Sequence, residues 1–333
     1  MQQYLPAVDT TMRQVVDSFP NLPLDFSVML RYPLGWVDEH NQPYHQPTGK
    51  RIRPILLLLC TGAAGGDWRT ALPAAAAVEL LHNFSLIHDD IQDNSHTRHG
   101  RPTVWKHWGQ ANAINAGDAL FSLAFTALEW LSQIGISPAT VLKVWRIFNQ
   151  TTLELTRGQH LDMRFENQDL VMVNDYISMI SGKSAALVAG CAEMGGLIAT
   201  GDDRLAKQYA DFGLNLGVAF QIRDDILGIW GEPSVTGKSA ATDIISRKKS
   251  LPVLYGLSQS QELAAIYQST DFGAEGVAEA VRLLDTLAAR DYAQDSEAHY
   301  YKKAVQSLQR ANPRGEAAES LLQLVESLFQ REY

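Results

Sequence analysis

The chain has 333 residues, of which 46% are hydrophobic and 20% charged, so it can bury a large core. This composition excludes a disordered chain and a fibrous repeat. The formal net charge is −9, from 28 Lys and Arg against 37 Asp and Glu. Such a chain lacks the basic surface that is typical of nucleic-acid-binding proteins. An anionic substrate would therefore need local positive charge or a bound metal ion.

The predicted elements are helices. The segment Leu72–Asp93 places Pro73 in a first helical turn and alanines behind it. Similar patterns recur at Ala111–Ile134, Ala139–Glu166, Tyr176–Ala199, Arg204–Trp230 and Gly276–Ala289, and twice more toward the C-terminus. Only Leu170–Ile180 has the pattern of a strand, and no hairpin signal is present. The sequence predicts an all-α fold, and the lack of a linker favours a single domain over residues 1–333.

The location of the protein is predicted from three features. The first residues lack the charged and apolar regions of a secretion signal. No apolar stretch approaches the ~18–20 residues that a membrane span needs. Cys60 and Cys191 lie in apolar runs without metal-binding spacing, which predicts buried, free thiols. We expect a soluble, cytoplasmic protein without a membrane span.

Two groups of acidic residues lie in apolar helical segments. Asp89 and Asp93 are four residues apart and therefore share a helix face, and His82 falls within about 20° of it. The pair Asp224-Asp225 follows Gln221 in another apolar helix. Carboxylates in such helices are costly unless a cation meets them, and Mg²⁺ is typically held by one or two carboxylates together with substrate phosphates. These residues predict metal binding rather than a solvated acidic surface.

Basic residues stand where a phosphate would need them. Three positive side chains lie within Lys50–Arg53, and more follow the first acidic group within Arg98–Thr103. Lys183 and Lys238 each follow a glycine, and Lys248-Lys249 comes later. Arg and Lys bind diphosphate oxygens directly. Together with the paired acids, these cations predict a site for a metal ion and a diphosphate.

These residues resemble the trans-isoprenyl diphosphate synthases, which elongate prenyl chains. The similarity extends from about Gly49 to Ser250 and rests on motifs in the family's order: GKRIRP, HNFSLIHDDIQD, TRHGRPT, NAGDAL, GQHLDM, SGKSA, FQIRDDILG, TGK, and DI followed by RKKS. The resemblance implies a single-domain helical bundle of the isoprenoid synthase type around a deep central cavity. It also implies a homodimer.

The resemblance implies a reaction as well. The enzyme would condense isopentenyl diphosphate with dimethylallyl, geranyl or farnesyl diphosphate. Three Mg²⁺ ions, with Mn²⁺ as an alternative, would assist ionisation of the allylic diphosphate. The double bond of isopentenyl diphosphate would then attack the carbocation, and a proton would be lost.

Individual roles follow from the same resemblance. The implied metal ligands are Asp89, Asp93 and Asp224. The implied catalytic group consists of Asp89, Asp93, Asp224, Lys183, Gln221 and Lys238. The implied isopentenyl diphosphate site contains Lys50, Arg53 and His82. The groups implied around the allylic diphosphate are Arg98, Lys183, Ser184, Gln221, Lys238 and Lys248.

The sequence departs from the family at two positions. The family's second acidic motif usually carries a third aspartate, where this chain has Gly228. Because Asp224 is kept, we expect metal binding to survive and Gly228→Asp to be mild. His99 stands where the family has an arginine that faces isopentenyl diphosphate. A side chain with an ordinary pKa near ~6.5 thus replaces a fixed positive charge.

Two other functions remain open at this point. A class I terpene cyclase also ionises an allylic diphosphate, but it has no second diphosphate to hold, so Lys50, Arg53 and His82 argue against it. A non-catalytic subunit that regulates a partner synthase need not keep both leading aspartates, whereas this chain has Asp89 and Asp224.

Product length depends on residues before the first acidic motif. Ser85 lies four residues before Asp89, ~6 Å along the helix axis on nearly the same face, and is small. Phe84 is rotated by ~140° from Asp89, and Leu81 lies a further turn away. An aromatic residue at the Phe84 position alone resembles the twenty-carbon type. We therefore expect geranylgeranyl diphosphate, with farnesyl diphosphate as the alternative product.

Overall fold

The computed structural model describes residues 3–44, 51–166, 168, 171–231, 241–269 and 272–329. In chain order, the helices of these ranges are α1 (Tyr4–Asp17), α2 (Leu24–Arg31), α3 (Ile52–Ala63), α4 (Leu72–Gln92), α5 (Val104–Trp108), α6 (Gln110–Gln133), α7 (Pro138–Glu166), α8 (Val173–Ile180), α9 (Ala186–Thr200), α10 (Asp203–Trp230), α11 (Thr242–Ile245), α12 (Leu251–Gln259), α13 (Gln261–Gln268), α14 (Ala274–Thr286), α15 (Ala289–Arg310) and α16 (Gly315–Phe329). A 3₁₀ turn, Trp68–Ala71, precedes α4, and a π-helical turn, Ser181–Ala185, joins α8 to α9. The all-α prediction is confirmed.

Backbone contacts divide the chain into two compact units. The first unit comprises Met1–Phe148 with Met194–Asp203. The second unit comprises Asn149–Glu193 with Arg204–Tyr333. The expectation of a single domain over residues 1–333 stays a prediction.

The first unit is built around α4. Residues 74–78 of this helix are four alanines and a valine, and none of them is exposed to solvent. Their small side chains let neighbouring helices approach closely. The end of α9 also packs against α3 in this unit. A Cβ atom added at Gly195 would lie 2.5 Å from the carbonyl oxygen of Leu57 and 2.9 Å from Cβ of Cys60. This contact requires glycine, because real Cβ atoms essentially never come so close.

The second unit packs α10 against the region around the π turn. Cβ atoms at Gly213 and Gly217 would lie 2.6 Å from the carbonyl oxygen of Val188 and from Cα of Ala185, respectively. Apolar residues of α8, α10, α12 and α15 form a core there, which includes Tyr176, Ile222, Leu251 and Ala293. The two cysteines of the chain, Cys60 and Cys191, are buried and form no disulfide, as predicted.

Two segments differ from their local sequence patterns. The strand-like segment is helical from Val173 to Ile180, because its apolar residues Tyr176, Met179 and Ile180 are buried at helical spacing. A hairpin is present where none was predicted, and it pairs Thr97–Arg98 with Arg101–Pro102. Its strands are two residues long, too short to produce an alternating pattern. The turn residues His99 and Gly100 have φ values of 50° and 73°, which suits a tight hairpin turn.

One helical stretch, Trp68–Gln92, is long and apolar enough to cross a membrane by length and composition, although no such stretch was predicted. Two thirds of its most apolar window, 67%, are buried inside the protein. This is the position of a core helix.

The contact between α9 and α3 leads to a stability prediction. Gly195→Ala should lower the free energy of unfolding by about 1–3 kcal/mol, because the added Cβ overpacks the helix crossing. Urea denaturation measures this change. Gly276→Ala is the matched control, since a Cβ there would meet only the Phe272 ring, at 3.7 Å. It should stabilise α14 by roughly 0.4–1 kcal/mol. A Gly195→Ala variant as stable as Gly276→Ala would contradict the prediction.

Candidate functional site

The first acidic motif, Asp89–Asp93, lies at the C-terminal end of α4. Asp89 is in the last turn, and Asp93 is the C-cap residue, whose N–H donates to the carbonyl oxygen of Asp89 at 2.9 Å. The last turn contains no basic residue. A helix C-terminus carries partial negative charge and disfavours each exposed carboxylate by about 0.3–1 kcal/mol. This arrangement of hard oxygen donors therefore fits a divalent cation.

The hairpin after α4 turns Arg98 back toward this motif. Its Nε and Nη2 atoms donate to Oδ1 of Asp90, at 2.8 and 2.7 Å, and Nη2 lies 3.6 Å from Oδ2 of Asp89. Burial raises the pKa of Asp90, although the Arg98 guanidinium opposes this shift. Asp90 thus holds a guanidinium beside Asp89, and the role of Arg98 at the allylic diphosphate stays a prediction.

The two residues after Arg98 differ in their surroundings. His99 is exposed in the hairpin turn and, together with Asp90 and Arg98, lines a small cavity. The Arg101 guanidinium stacks on the rings of Tyr32 and Tyr44, at 3.8 and 3.9 Å. It also donates to the carbonyl oxygens of Tyr32 and Val37. Arg101 therefore serves to attach the hairpin and does not replace the arginine that is missing at position 99.

Arg53 and His82 contact each other within the first unit. Nη1 of Arg53 lies 3.1 Å from Nε2 of His82. Burial, followed by the charges of Arg53, Arg98 and His99, holds the pKa of His82 well below its usual value. His82 is therefore neutral, accepts at Nε2 and carries its proton on Nδ1. The Nε atom of Arg53 is buried without a hydrogen-bond partner in the described residues.

The other cations near the start of α3 are placed differently. Arg51, which the sequence groups with the phosphate-binding residues, donates to Asp9 at 2.7 Å and to the carbonyl oxygen of Leu34 at 3.2 Å. Arg51 therefore has a structural role. Lys50 lies outside the described residues.

The residues predicted to set product length lie on α4. Leu81 is fully buried, and the Ser85 hydroxyl donates to the carbonyl oxygen of His82 at 2.8 Å. The ring of Phe84 packs against Phe121 of α6, with centroids 4.9 Å apart. Phe121 continues into a row of aromatic contacts through Phe125 of the same helix. No local sequence signal marks a residue of α6 as a neighbour of Phe84, so this second helix is absent from the prediction.

In the second unit, two glycines place the π turn against α7. A Cβ at Gly158 would lie 2.0 Å from the backbone nitrogen of Lys183, and one at Gly182 would lie 2.7 Å from the carbonyl oxygen of Glu154. Single π turns inside helices are frequent at functional sites. Here the close backbone contact orients the two polar side chains that follow Gly182.

The side chains after Gly182 have defined partners. Lys183 forms an ion pair with Asp162 of α7. The Ser184 hydroxyl donates to Oε1 of Gln221 at 2.7 Å. Three of the predicted residues of this unit, Lys183, Ser184 and Gln221, thus belong to one hydrogen-bonded region around the π turn.

Asp225 is the centre of the network in the second unit. It is fully buried and accepts hydrogen bonds from Nε2 of Gln221 at 3.3 Å, Nζ of Lys248 at 3.3 Å, the backbone nitrogen of Leu251 at 3.2 Å, and the hydroxyl of Tyr176. Burial and the Asp225 carboxylate raise the pKa of Tyr176. The sequence pattern groups Asp225 with Asp224 as a metal-binding pair and does not mark Tyr176, because the contacts of both join distant segments.

Lys248 is the cation of this network. Burial alone would lower the pKa of Lys248, but the carboxylates of Asp225 and Asp243 outweigh it and raise the pKa. The neighbouring basic residues serve as structural supports: Lys249 donates to the carbonyl oxygens of Phe165 and Glu166, and Arg247 to those of Tyr267 and Ser269. Lys238 lies outside the described residues.

Asp224 is exposed on α10, and Gly228 lies one turn further along. A Cβ at Gly228 would lie 2.5 Å from Cγ of Asp243. In Gly228→Asp, the Asp243 carboxyl group at the end of its side chain would have to move, and the expectation that this change is mild stays a prediction.

Neither unit forms a complete metal cage by itself. Within the described ranges, no group of three or more His, Cys, Asp or Glu side chains could hold a metal ion. Mg²⁺ commonly takes one or two carboxylates and completes its shell with water and phosphate oxygens. Asp89 and Asp93 in the first unit, and Asp224 in the second, suit this mode of binding.

The neutral state of His82 gives a pH prediction. Its pKa is lower in the folded than in the unfolded chain, so the unfolded chain binds the extra proton as the pH falls below about 6.5. Stability from this group is complete above that pH and decreases below it, by at most about 1.4 kcal/mol per pH unit. His82→Gln should reduce the loss of unfolding free energy between pH 7.5 and 5.5. His40→Gln, at an exposed site, should not, and equal slopes for both variants would contradict the prediction.

Comparison with known proteins agrees with this geometry. Residues 35–284 match the model of the polyprenyl synthetase family. A (2E,6E)-farnesyl diphosphate synthase of Mycobacterium tuberculosis is 41% identical over 262 residues, which cover 78% of this chain and 71% of the relative.

Solved structures show the same fold. A geranylgeranyl pyrophosphate synthetase from Pyrococcus horikoshii superposes with a TM-score of 0.88 at 34% identity, over 98% of this chain and 96% of the other. A geranylgeranyl pyrophosphate synthase from Corynebacterium glutamicum, complexed with isoprenyl diphosphate and magnesium, gives 0.82 at 26% identity and 99% coverage of both. These findings confirm the predicted isoprenoid synthase fold and the prediction of a chain-elongating trans-prenyltransferase: the chain belongs to the polyprenyl synthetase family.

Proposed function

We propose that this prenyltransferase condenses isopentenyl diphosphate with an allylic diphosphate and releases mainly geranylgeranyl diphosphate. One observation carries the proposal: α4 ends in carboxylates without a basic residue in its last turn, and Arg98 lies beside them. This is the charge arrangement that a metal–diphosphate complex requires. The related Corynebacterium enzyme, which is complexed with isoprenyl diphosphate and magnesium, supports Mg²⁺ as the cofactor.

The residues of the first unit are suited to bind two kinds of phosphate. Arg53 supplies a fixed positive charge, and the neutral imidazole of His82 orients its guanidinium. Because His82 stays neutral, Arg53 carries the positive charge of this pair. Arg98, held by Asp90, directs positive charge toward Asp89, where we place the allylic diphosphate. Asp89 and Asp93 would hold the metal.

The second unit has cations of its own that are suited to a diphosphate. Lys183 and Lys248 each present an ammonium group. A hydrogen bond between Ser184 and Gln221 orients these two polar side chains. Asp224 would hold a metal ion here. When bound, Mg²⁺ supplies the positive charge that stabilises the departing diphosphate. We propose three ions, with Mn²⁺ as an alternative.

The apolar residues of the first unit are suited to the prenyl chain. The Phe84 and Phe121 rings form an aromatic pair below the first acidic motif, and such a wall excludes water from a carbocation. Ser85 is small, so it leaves room on the same face of α4. These features favour the twenty-carbon product. The farnesyl diphosphate synthase among the relatives makes the fifteen-carbon product the second candidate.

The oligomeric state and the location belong to the same proposal. The first unit exposes large apolar side chains on α6 and α7, including Ile114 at 42% and Leu142 at 63%. A second copy that covered these side chains would remove them from water, so their exposure favours the proposed homodimer. Light scattering of the purified chain measures the mass. A cytoplasmic location stays a prediction.

Turnover tests the proposed metal ligands. Asp89→Ala and Asp224→Ala should each lower kcat by at least ~10³-fold, because each loses a carboxylate needed to stabilise the leaving group. The assay combines radiolabelled isopentenyl diphosphate with each allylic substrate and Mg²⁺. Asp17→Ala is the control, since it removes the same charge from an exposed ion pair with Arg31. Near-normal turnover of either motif variant would refute its role.

Product analysis tests the chain-length residues. Ser85→Phe should shorten the product to fifteen carbons or fewer, and Phe84→Ala should lengthen it. Ser132→Phe is the matched control, because Ser132 also donates to a carbonyl oxygen three residues earlier, that of Glu129, but at an exposed site. The products are separated by chromatography after dephosphorylation. If Ser85→Phe and Ser132→Phe give the same products, residues other than Ser85 limit the length of the product.

A further inference from the structure

Helix α3 begins at a residue with a left-handed backbone. Arg51 is the N-cap residue of α3, and its φ and ψ angles are both 44°. Its carbonyl oxygen accepts a hydrogen bond from the backbone nitrogen of Ile55 at 3.4 Å. A β-carbon makes this conformation unfavourable, so it persists only where the surroundings stabilise it. The direction in which α3 begins therefore depends on what holds Arg51.

Three segments of the first unit hold the Arg51 side chain. Nη1 donates to Oδ1 of Asp9 in α1 at 2.7 Å, and Nη2 donates to the carbonyl oxygen of Leu34 at 3.2 Å. Nε lies 3.9 Å from Oε1 of Glu79 in α4. Each nitrogen atom of the guanidinium thus faces a different segment. Because the side chain is only 14% exposed, water weakens these contacts little.

Asp9 provides the shortest of these contacts and is itself held in place. Besides Arg51, its carboxylate accepts hydrogen bonds from Nε1 of Trp36 and Nε of Arg13, each at 2.7 Å. Burial alone would raise the pKa of Asp9, but the hydrogen bonds from these three residues outweigh it and lower the pKa. Asp9 is therefore ionised at neutral pH. Its bond with Arg51 joins two charged groups, which makes it stronger than a neutral hydrogen bond.

Two pairs of residues join the start of α3 to one face of α4. Arg51 faces Glu79, and two residues later Nη1 of Arg53 lies 3.1 Å from Nε2 of His82. Glu79 and His82 are three residues apart, so they are neighbours on the helix surface. Burial raises the pKa of Glu79, and the charges of Arg51 and Arg53 oppose this shift. A change of backbone conformation at Arg51 would therefore turn Arg53 relative to His82.

We propose that Arg51 is a positioning residue for the phosphate subsite that Arg53 and His82 form. The inference rests on the proposed function, which assigns isopentenyl diphosphate to this pair. Held by Asp9 and Glu79, Arg51 sets the direction of the first turn of α3 and thereby the place of the Arg53 guanidinium. The two carboxylates compensate its own charge, so Arg51 acts on the anion through Arg53.

Removing the charge of Asp9 tests the proposal without changing Arg51 or Arg53. Titration calorimetry with isopentenyl diphosphate alone measures binding, because no condensation occurs without an allylic diphosphate. Asp9→Asn should raise the dissociation constant by about ten-fold or more, since it weakens a shielded bond to a charged group. Arg13→Gln is the matched control. It removes the more exposed ion pair of the same carboxylate and should leave the constant within about two-fold of the parent.

Steady-state kinetics separate positioning from a general loss of structure. In Asp9→Asn, the KM for isopentenyl diphosphate should rise by about ten-fold, whereas the KM for geranyl diphosphate should stay within about two-fold of the parent. Parallel increases of both KM values would indicate general damage and would contradict a positioning role.

Two substitutions of Arg51 separate its backbone from its side chain. Both Arg51→Ala and Arg51→Gly lose the contacts with Asp9 and Glu79, but only glycine adopts the left-handed conformation without cost. Arg51→Gly should therefore bind isopentenyl diphosphate about three-fold more tightly than Arg51→Ala, or better. Circular dichroism shows whether both variants fold. If Arg51→Ala does not, Asp9→Asn still decides the question.

The titration of His82, followed by NMR, reports the place of Arg53 without any substrate. Burial and the charge of Arg53 both hold the pKa of His82 low. If Arg53 moves away in Asp9→Asn, the titration midpoint of His82 should rise toward that of an ordinary histidine. Arg13→Gln should leave the midpoint unchanged.

Three further outcomes would overturn the inference: parental affinity in Asp9→Asn, equal affinities of folded Arg51→Ala and Arg51→Gly, or a parental His82 titration in Asp9→Asn. The proposed function fails in a different way, namely if the folded parent does not bind isopentenyl diphosphate. In that case the His82 titration still decides whether Asp9 and Arg51 position Arg53.

Discussion

The helix that ends in the first acidic motif carries negative charge where its own dipole is already negative. Asp89, Asp90 and Asp93 come at the C-terminus of α4, where a lysine or arginine would be more stable. The rest of the first unit compensates for this arrangement. The hairpin returns Arg98 to Asp90, and the alanine-rich, fully buried middle of α4 fixes the helix in the core. The negative charge that Arg98 does not compensate is available to bind a cation.

The second unit also contains an unfavourably placed carboxylate, but it compensates for this group with hydrogen bonds. Asp225 is buried completely, which is costly for a carboxylate unless it is paired and hydrogen-bonded. Four donors meet it, from α8, α10, α12 and the segment before α12. Because Tyr176 and the Lys248–Leu251 segment are distant in the sequence from Asp225, this one carboxylate links both of them to α10. Gln221 and Lys248 are oriented by it.

The sequence predicted what depends on local periodicity. The helical segments, the shared face of Asp89 and Asp93, and the apolar environment of both motifs follow from spacing alone. The contacts of Phe84 with Phe121, Tyr176 with Asp225, and Asp243 with Gly228 join residues 15 or more positions apart, and no local pattern encodes them. The hairpin was missed because two-residue strands are too short to alternate. Arg51 and Arg101 were misread because charge alone does not distinguish a ligand-binding cation from one that supports the fold.

The hairpin has one further consequence. Its register places Arg98 directly opposite Arg101, and like charges in such a pair repel each other. A hairpin of two residue pairs is not stable in water by itself. Its order therefore depends on the partners of these two arginines, Asp90 on one side and the Tyr32 and Tyr44 rings on the other. The exchange rates of its backbone amide protons should therefore depend on whether Arg98 is bound to Asp90. Measured by NMR, these rates would detect a change in charge at the end of α4.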